Sequence, residues 1–368
     1  MELIFLYQQS HQDEPEYMTG KKNISVIYWG DYASPYTLLN QVKPDVVVFA
    51  DIESFNQLAL NISARNKGIK TFVLQHGIRG AYEVDEALSV NPLLDQKIQF
   101  SNTSGWSFRF LMNSLRLRNL RSFPSLVKFI FSRKKNDLTT ALFNNQFELR
   151  RADVYLEFSD DNAGYHRKRD GIPLDRFLIT GNPTFDGYFN FFNQQAEAQN
   201  YCLLIDCPFV EAGFNQDHGI TQEKKNDYIR KLSIWSTVNG YHLKVKLHPL
   251  SYKTGNLYQS EALTYIREVD LKKLIAGAAY VFFVHFSSIA PIIMMYKPAI
   301  YFHAALKGHG SEFRKLGVPE LPLFEFDESK QNLTTIAKKI STEVIHRHVF
   351  MWDGMASARI KSALLAKP

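Results

Sequence analysis

Short apolar runs of four or five residues, bounded by turn-forming residues, recur along the chain, and the stretches between them are long enough for helices. In the first half the runs fall at 3–6, 24–28, 46–49, 71–74 and 154–158. Apolar on both faces and separated by crossover-length segments, they predict buried parallel strands of an α/β sheet. The segment 51–67 predicts one crossover helix, with acidic residues leading and Arg65 and Lys67 trailing, as the helix dipole favours. A second series begins after Asn182 and Pro183, with runs at 202–205, 243–247, 280–284 and 299–302. Helices over 222–238 and 261–278 are predicted between them, giving a second βαβ set.

Two Rossmann-like halves follow, residues 1–180 and 181–352, with a hinge near 181–188 and a final helix over 353–368 crossing back onto the first half. Length agrees, because single cores stop growing near roughly 250–300 residues and this chain has 368. The opening run has no basic region before it and reads as a short buried strand, not a signal peptide. No apolar run approaches the roughly 18–20 residues that span a bilayer, so a soluble or peripheral protein is expected. Two cysteines, Cys202 and Cys207, cannot staple a chain of this size, which fits a reducing compartment.

The chain carries 43 Lys and Arg against 37 Asp and Glu, a net charge of +6 that by itself names no partner. Its distribution changes that. Residues 96–136 hold Lys97, Arg109, Arg116, Arg118, Arg121, Lys128, Arg133, Lys134 and Lys135 and no acid, so the rest of the chain is slightly acidic. Trp106, Phe108, Phe110, Leu117, Phe123, Phe129 and Phe131 are interleaved with them, and Pro124 divides the segment into two predicted helices. A solvated face normally mixes both signs, so the pattern points to a surface for an anionic polymer, an anionic membrane, or both. A core helix pair whose arginines face water is the simpler alternative. No helix-turn-helix, zinc-finger or RNP-like signature accompanies the segment, so nucleic acid is not an expected partner.

Three histidines each follow a predicted strand. Gln75, His76 and Gly77 come after 71–74, at the kind of strand end where open α/β sheets bind ligands, and His76 is suited to act as a base or an anion donor. A histidine satisfied by a backbone carbonyl is the commoner fate of an isolated one. His248 and Pro249 close 243–247; a neutral His248 donates a hydrogen bond to phosphate, a cationic one neutralises its charge, and Lys246 adds the same sign. The run 280–284 delivers His285, Ser287 and Ser288 to the start of an apolar helix, where hydroxyls and free N–H groups make an anion site. Gly181, Asn182 and Pro183, closing a strand over 177–180, offer a tight turn with exposed backbone that suits a nucleotide loop or an ordinary turn. Ser159, Asp160 and Asp161 suit a metal ion, but with no further ligands nearby in sequence a loop or a helix cap is the expected role. Dinucleotide enzymes, P-loop kinases and α/β-hydrolases lose their main signatures, because the chain has no Gly-x-Gly-x-x-Gly, Walker loop or Gly-x-Ser-x-Gly.

In this order the motifs resemble the GT-B glycosyltransferases that build bacterial capsules and teichoic acids from cytidine-nucleotide donors. The resemblance runs from about Val46 to Phe302 and, given the size and the basic segment, is greatest to bacterial capsular polysialyltransferases. It implies an α/β protein of GT-B architecture, two Rossmann-like domains facing an interdomain cleft, the first binding acceptor and the second the nucleotide sugar. It implies an inverting, metal-independent transfer of sialic acid from CMP-sialic acid onto the non-reducing end of a growing polysialic acid chain, with no cofactor beyond the donor.

His248, Pro249, Ser287, Ser288, Gly181 and Asn182 would hold the donor nucleotide and phosphate, and His285 would help the CMP leaving group carry its charge. The base that deprotonates the acceptor is either Glu148, the first choice, or His76; the short acidic-acidic-Gly motif of one sialyltransferase branch is absent. Arg109, Arg116, Arg118, Arg121, Lys128, Arg133, Lys134 and Lys135 would hold the polyanionic acceptor. The expected place is the cytoplasm, peripheral on the inner face of the inner membrane beside capsule-assembly proteins. A capsule or teichoic-acid polymerase transferring sugar phosphate or glycerol phosphate from a CDP donor shares every motif and would make His76 the base. A sugar-nucleotide epimerase explains the basic segment poorly. A non-catalytic polyanion or membrane-surface binding protein is the alternative outside enzymes.

Overall fold

The computed structural model describes residues 2–7, 23–77, 84–85, 88, 103–136, 138–192, 199–211, 220–253, 255–284, 289–303 and 316–366. The described residues of Met1–His76, Val84–Leu156 and Gly164–Leu178 form one compact unit, and those of Gly77–Glu83, Glu157–Ala163 and Ile179–Pro368 form a second. Residues 157–163 go with the second unit because Asn162 Nδ2 donates to Val349 O at 2.8 Å and Met351 N to Phe158 O at 3.0 Å.

In the first unit β1 (Leu3–Tyr7) and β2 (Ile24–Tyr28) pair in parallel as a two-stranded sheet of their own. Leu3, Ile4 and Phe5 remain exposed, so the opening run is not the buried strand its composition suggests; among the described residues β1 pairs along one edge only, with β2. The main sheet orders β3 (Val46–Phe49), β4 (Lys70–Leu74), β5 (Val154–Glu157) and β6 (Phe177–Ile179), with β3, β4 and β5 parallel. The crossover helix between β3 and β4 starts at Phe55, later than the predicted 51, under a capping box. Gln57 N–H donates to Ser54 Oγ at 3.2 Å and Ser54 N–H to Gln57 Oε1 at 2.9 Å. Asp51 is instead drawn into an ion-pair network described below. The helix Phe55–Asn66 buries Leu58, Leu60 and Ile62, each such side chain contributing about 1.5–3 kcal/mol.

The second unit is built on a six-stranded parallel sheet, ordered β12 (Glu320–Pro322), β11 (Ala299–His303), β10 (Tyr280–Phe283), β7 (Tyr201–Ile205), β8 (His242–Lys246), β9 (Leu263–Ile266) among the described residues. Alternation along each strand splits its side chains between two cores. Leu203, Val281, Phe283 and Tyr301 pack on one face, and Cys202, Leu204, Phe282, Ile300 and Phe302 on the other. The predicted helix over 261–278 is two elements. Leu263–Ile266 is strand β9, as the β-favouring Thr264, Tyr265 and Ile266 allow, and a helix begins only at Leu271, where Asp270 caps Lys272 N–H at 3.1 Å. The final helix, which the sequence reading carries back to the first half, is anchored in the second unit. Asp186 accepts the N–H groups of Ala356 and Ser357 at 3.1 and 2.7 Å, and Arg359 Nε donates to Thr180 O at 2.9 Å.

Candidate functional site

In the six-stranded sheet β7 is first in sequence; β8 and β9 build outward on one side of it, whereas β10, β11 and β12 build outward on the other. The strand order therefore reverses between β7 and β10, and ligands of open α/β sheets bind outside the carboxyl ends of the strands at such a switch point. Parallel register places Phe283 beside Ile205 and Ile205 beside Lys246, so the residues leaving β10, β7 and β8 share one edge. Asp206 leaves β7 and His248 follows β8 at this edge. His285, Ser287 and Ser288, which follow β10 in sequence, lie outside the described residues.

His248 is half-buried, and its Nδ1 accepts the backbone N–H of Leu250 at 3.2 Å. An amide nitrogen can only donate, so Nδ1 carries no proton and a neutral ring has its proton on Nε2. The side chain is thereby fixed as an N–H donor. Its backbone N–H donates to Asp206 Oδ2 at 3.4 Å, and Pro249 opens the short 3-10 turn Pro249–Lys253. Beneath the turn lies Lys225, fully buried, with Nζ 3.1 Å from Asp206 Oδ1, 3.2 Å from Glu211 Oε1 and 3.3 Å from Ser251 Oγ. Burial pushes the Asp206 carboxyl above its ordinary value despite Lys225 and the hydrogen bonds from Lys225, Ser251 and His248. The network ties the ends of β7 and β8 to the helix Gln222–Val238 and so sets where the His248 turn stands. Sequence reasoning missed it, although a signal exists: Lys225 occupies the same helical stripe as the buried Tyr228, Ile229 and Leu232.

The turn at Gly181 and Asn182 departs from the expected open loop. Both residues are buried, and Asn182 caps its own turn by accepting Thr184 N–H at 3.0 Å. Gly181 has φ of +79°, and a Cβ there would stand 2.8 Å from the Met351 carbonyl oxygen, so glycine is demanded by packing under the final helix. The pair shapes the fold and offers no exposed backbone to a nucleotide.

In the first unit the two candidate bases stand at opposite edges of the parallel sheet. His76 follows the carboxyl end of β4, is exposed, and precedes Gly77 with φ of +73°. Glu148 precedes β5, at the amino edge. Its carboxylate accepts from Arg65 at 3.0 Å, Arg176 at 2.8 Å and Arg151 at 3.3 Å. Partial burial raises its pKa, but hydrogen bonds and charge from Arg176 and Arg65 outweigh that and hold it below the ordinary value. A carboxylate so held is a poor proton acceptor, and Glu148 anchors three arginines.

A second network lies at the carboxyl end of β3. Asp51 accepts from Arg169 Nη2 at 2.9 Å, while Asp170 accepts from Arg150, from Arg169 Nε at 2.8 Å and pairs with His166 Nδ1 at 2.8 Å. Asp51, His166 and Asp170 are close enough together to hold a metal ion, but the two guanidinium groups already neutralise both carboxylates. Asp161 pairs with His348 Nδ1 at 2.6 Å, and Ser159 Oγ accepts Asn162 N–H at 3.2 Å, in keeping with a helix cap. Cys202 and Cys207 are buried free thiols, and burial pushes both pKa values up to about 12.

The basic segment forms the helix Thr103–Met112, a 3-10 turn Leu117–Ser122 and the helix Phe123–Lys135, with Pro124 in the first turn of the last. Phe110, Leu111, Leu126 and Phe129 enter the core. Arg109, Arg116, Arg118, Arg121, Lys128, Lys134 and Lys135 are exposed and Arg133 is half-buried. Two of these cations also fasten the segment down. The Arg116 guanidinium lies 3.9 Å from the Tyr36 ring centroid, and Arg118 donates to Asn66 Oδ1 and to Arg65 O, the latter at 2.9 Å. Among the described residues no helix is long and apolar enough to cross a membrane.

These features define an α/β protein of two parallel-sheet units, with His248 at the switch-point edge of the second. No protein-family profile and no curated protein matches the chain. Among solved structures it is similar to the UDP-GlcNAc 2-epimerase from Methanocaldococcus jannaschii at 13% identity and a TM-score of 0.47, covering 99% of this chain and 99% of that one. It is also similar to the wall teichoic acid polymerase TagF, at 12% identity and a TM-score of 0.44 over 81% of this chain and 68% of that one. The glycotransferase of kitacinnamycin matches at 10% identity and a TM-score of 0.45 over 90% and 80%.

Proposed function

We propose that the chain is a glycosyltransferase of GT-B type that moves sialic acid from CMP-sialic acid onto the non-reducing end of an anionic sialic acid polymer. The observation that carries this reading is His248, held by Leu250 N–H as an Nε2–H donor at the carboxyl edge where β7, β8 and β10 end. That donor meets the donor phosphate, and Ser287, Ser288 and His285 add the remaining groups the motif order implies. His76 takes the acceptor hydroxyl proton as the acceptor oxygen bonds to the anomeric carbon. The bond from that carbon to the phosphate oxygen breaks with its electron pair, and CMP leaves. One direct displacement inverts the anomeric centre, with charge on CMP balanced by histidines in place of a metal ion.

A second reading, transfer of glycerol phosphate or sugar phosphate from a CDP donor, has one specific observation in its favour: Glu148 is saturated by arginines, which leaves His76 as the base, as that reading requires. Turnover of CMP-sialic acid and of CDP-glycerol, each with an anionic acceptor, separates the two. Acceptor-dependent CMP release from CMP-sialic acid, with none from CDP-glycerol, that falls at least a hundredfold in His76→Ala supports the first reading. Turnover of CDP-glycerol alone would replace it with the second.

A further inference from the structure

We propose that the outward face of residues 105–135 docks on an anionic phospholipid surface. The helix Thr103–Met112 buries Phe110 and Leu111 and exposes Phe108, Arg109 and Met112, whose spacing is that of one helical face. Leu117 is 85% exposed between Arg116 and Arg118. The helix Phe123–Lys135 buries Leu126 and Phe129 in the same core as Phe110 and Leu111, and exposes Lys128, Phe131, Lys134 and Lys135. Phe131 is 58% exposed, with Lys134 Nζ 5.8 Å from its ring centroid. Leu115, Leu117 and Phe123 help line a cavity of about 380 Å³.

The apolar members decide the partner. An anionic glycan takes up cations and hydrogen-bond donors but gains nothing from a leucine standing almost wholly in water. At a bilayer interface the same leucine and phenylalanine enter the acyl boundary while lysine and arginine meet headgroup phosphates. Exposed apolar side chains interleaved with cations suit such a contact, and the sequence between residues 103 and 136 carries no acid. Arg116 and Arg118, which a glycan track would need free, are partly engaged in holding the segment to Tyr36 and Asn66. The proposal stands independently of which donor the chain uses.

Flotation of the full chain with vesicles of phosphatidylcholine containing 30% phosphatidylglycerol, against pure phosphatidylcholine and against soluble polysialic acid, tests it. Partition onto the anionic vesicles at least tenfold above the neutral ones is expected. The charge-neutral pair L117S/F131S lowers it about tenfold, and the triple change K128Q/K134Q/K135Q lowers it as much while flattening its salt dependence. All five side chains are exposed, so circular dichroism and the melting temperature should match the parent. No preference for anionic vesicles overturns the proposal, as does vesicle binding that L117S/F131S leaves intact. Polysialic acid binding that alone responds to the lysine changes would assign the face to the glycan instead.

Discussion

His248 has its Nε2 left to donate, because its other ring nitrogen is spent on Leu250 N–H. Glutamine can place an amide N–H near the Nε2 position, whereas asparagine reaches only the Nδ1 position. His248→Gln should therefore keep donor kcat/KM within about tenfold, and His248→Asn should lose roughly a hundredfold or more, in line with removal of one charge-stabilising donor. Equal losses in both, measured by initial rates, would mean that the imidazole does not act through Nε2. The position of His248 was legible in the sequence, since an alternating strand ending in His-Pro marks a strand end. Its tautomer was not, for it depends on a turn that folds Leu250 back by two residues. Glu148 shows the opposite limit: a lone Phe-Glu-Leu-Arg string carries no sign that Arg65 and Arg176, far away in sequence, converge on the carboxylate.

The helix Asp160–Asp170 looks like a solvated element, polar at nearly every position, yet Tyr165, His166, Arg169 and Asp170 are buried. Periodicity cannot reveal such a face, because the pattern reads hydrophobicity and this stripe is satisfied by charge instead. Asp170 sits well below the ordinary carboxylate value: burial opposes this, but Arg150, Arg169 and His166 outweigh it. Asp51 is lowered in the same way by Arg169 and His166. A carboxyl depressed on folding supplies stability that is complete above its unfolded pKa of roughly 3.9 and is lost as pH falls from there toward the folded value. Asp170→Asn is expected to cost about 3–5 kcal/mol at pH 7, as breaking a buried pair does. The gap to the parent should shrink as pH falls below about 4, where the parent's unfolded chain takes up the proton that the folded carboxylate resists. Urea melts at pH 7, 4 and 2.5 read this directly, and a gap that does not change with pH would contradict the network's role. Elsewhere the apolar strands β4, β7, β10 and β11 were legible because burial on both faces leaves a continuous run, β3 because it is an unbroken apolar string, and β8 because Leu243 and Val245 alternate with lysines. Strand β9 was hidden by the polar residues on either side of it, and β12, only three residues long, by its brevity.

Two α/β units, a basic face on the first and a switch-point edge on the second, make up the described chain. The division into two was readable from length and from the restart of strand runs after Pro183, and the topology that locates the edge was not, because strand order is set by which crossovers turn back. The proposed function uses that edge: in it the second unit binds a nucleotide phosphate where β7, β8 and β10 end. Hydrogen exchange of the intact chain with and without CMP tests this most directly. The account predicts slower exchange in peptides covering 205–211 and 247–252, lost in His248→Asn. Protection confined to the first unit, or none at CMP concentrations that support turnover, would contradict it.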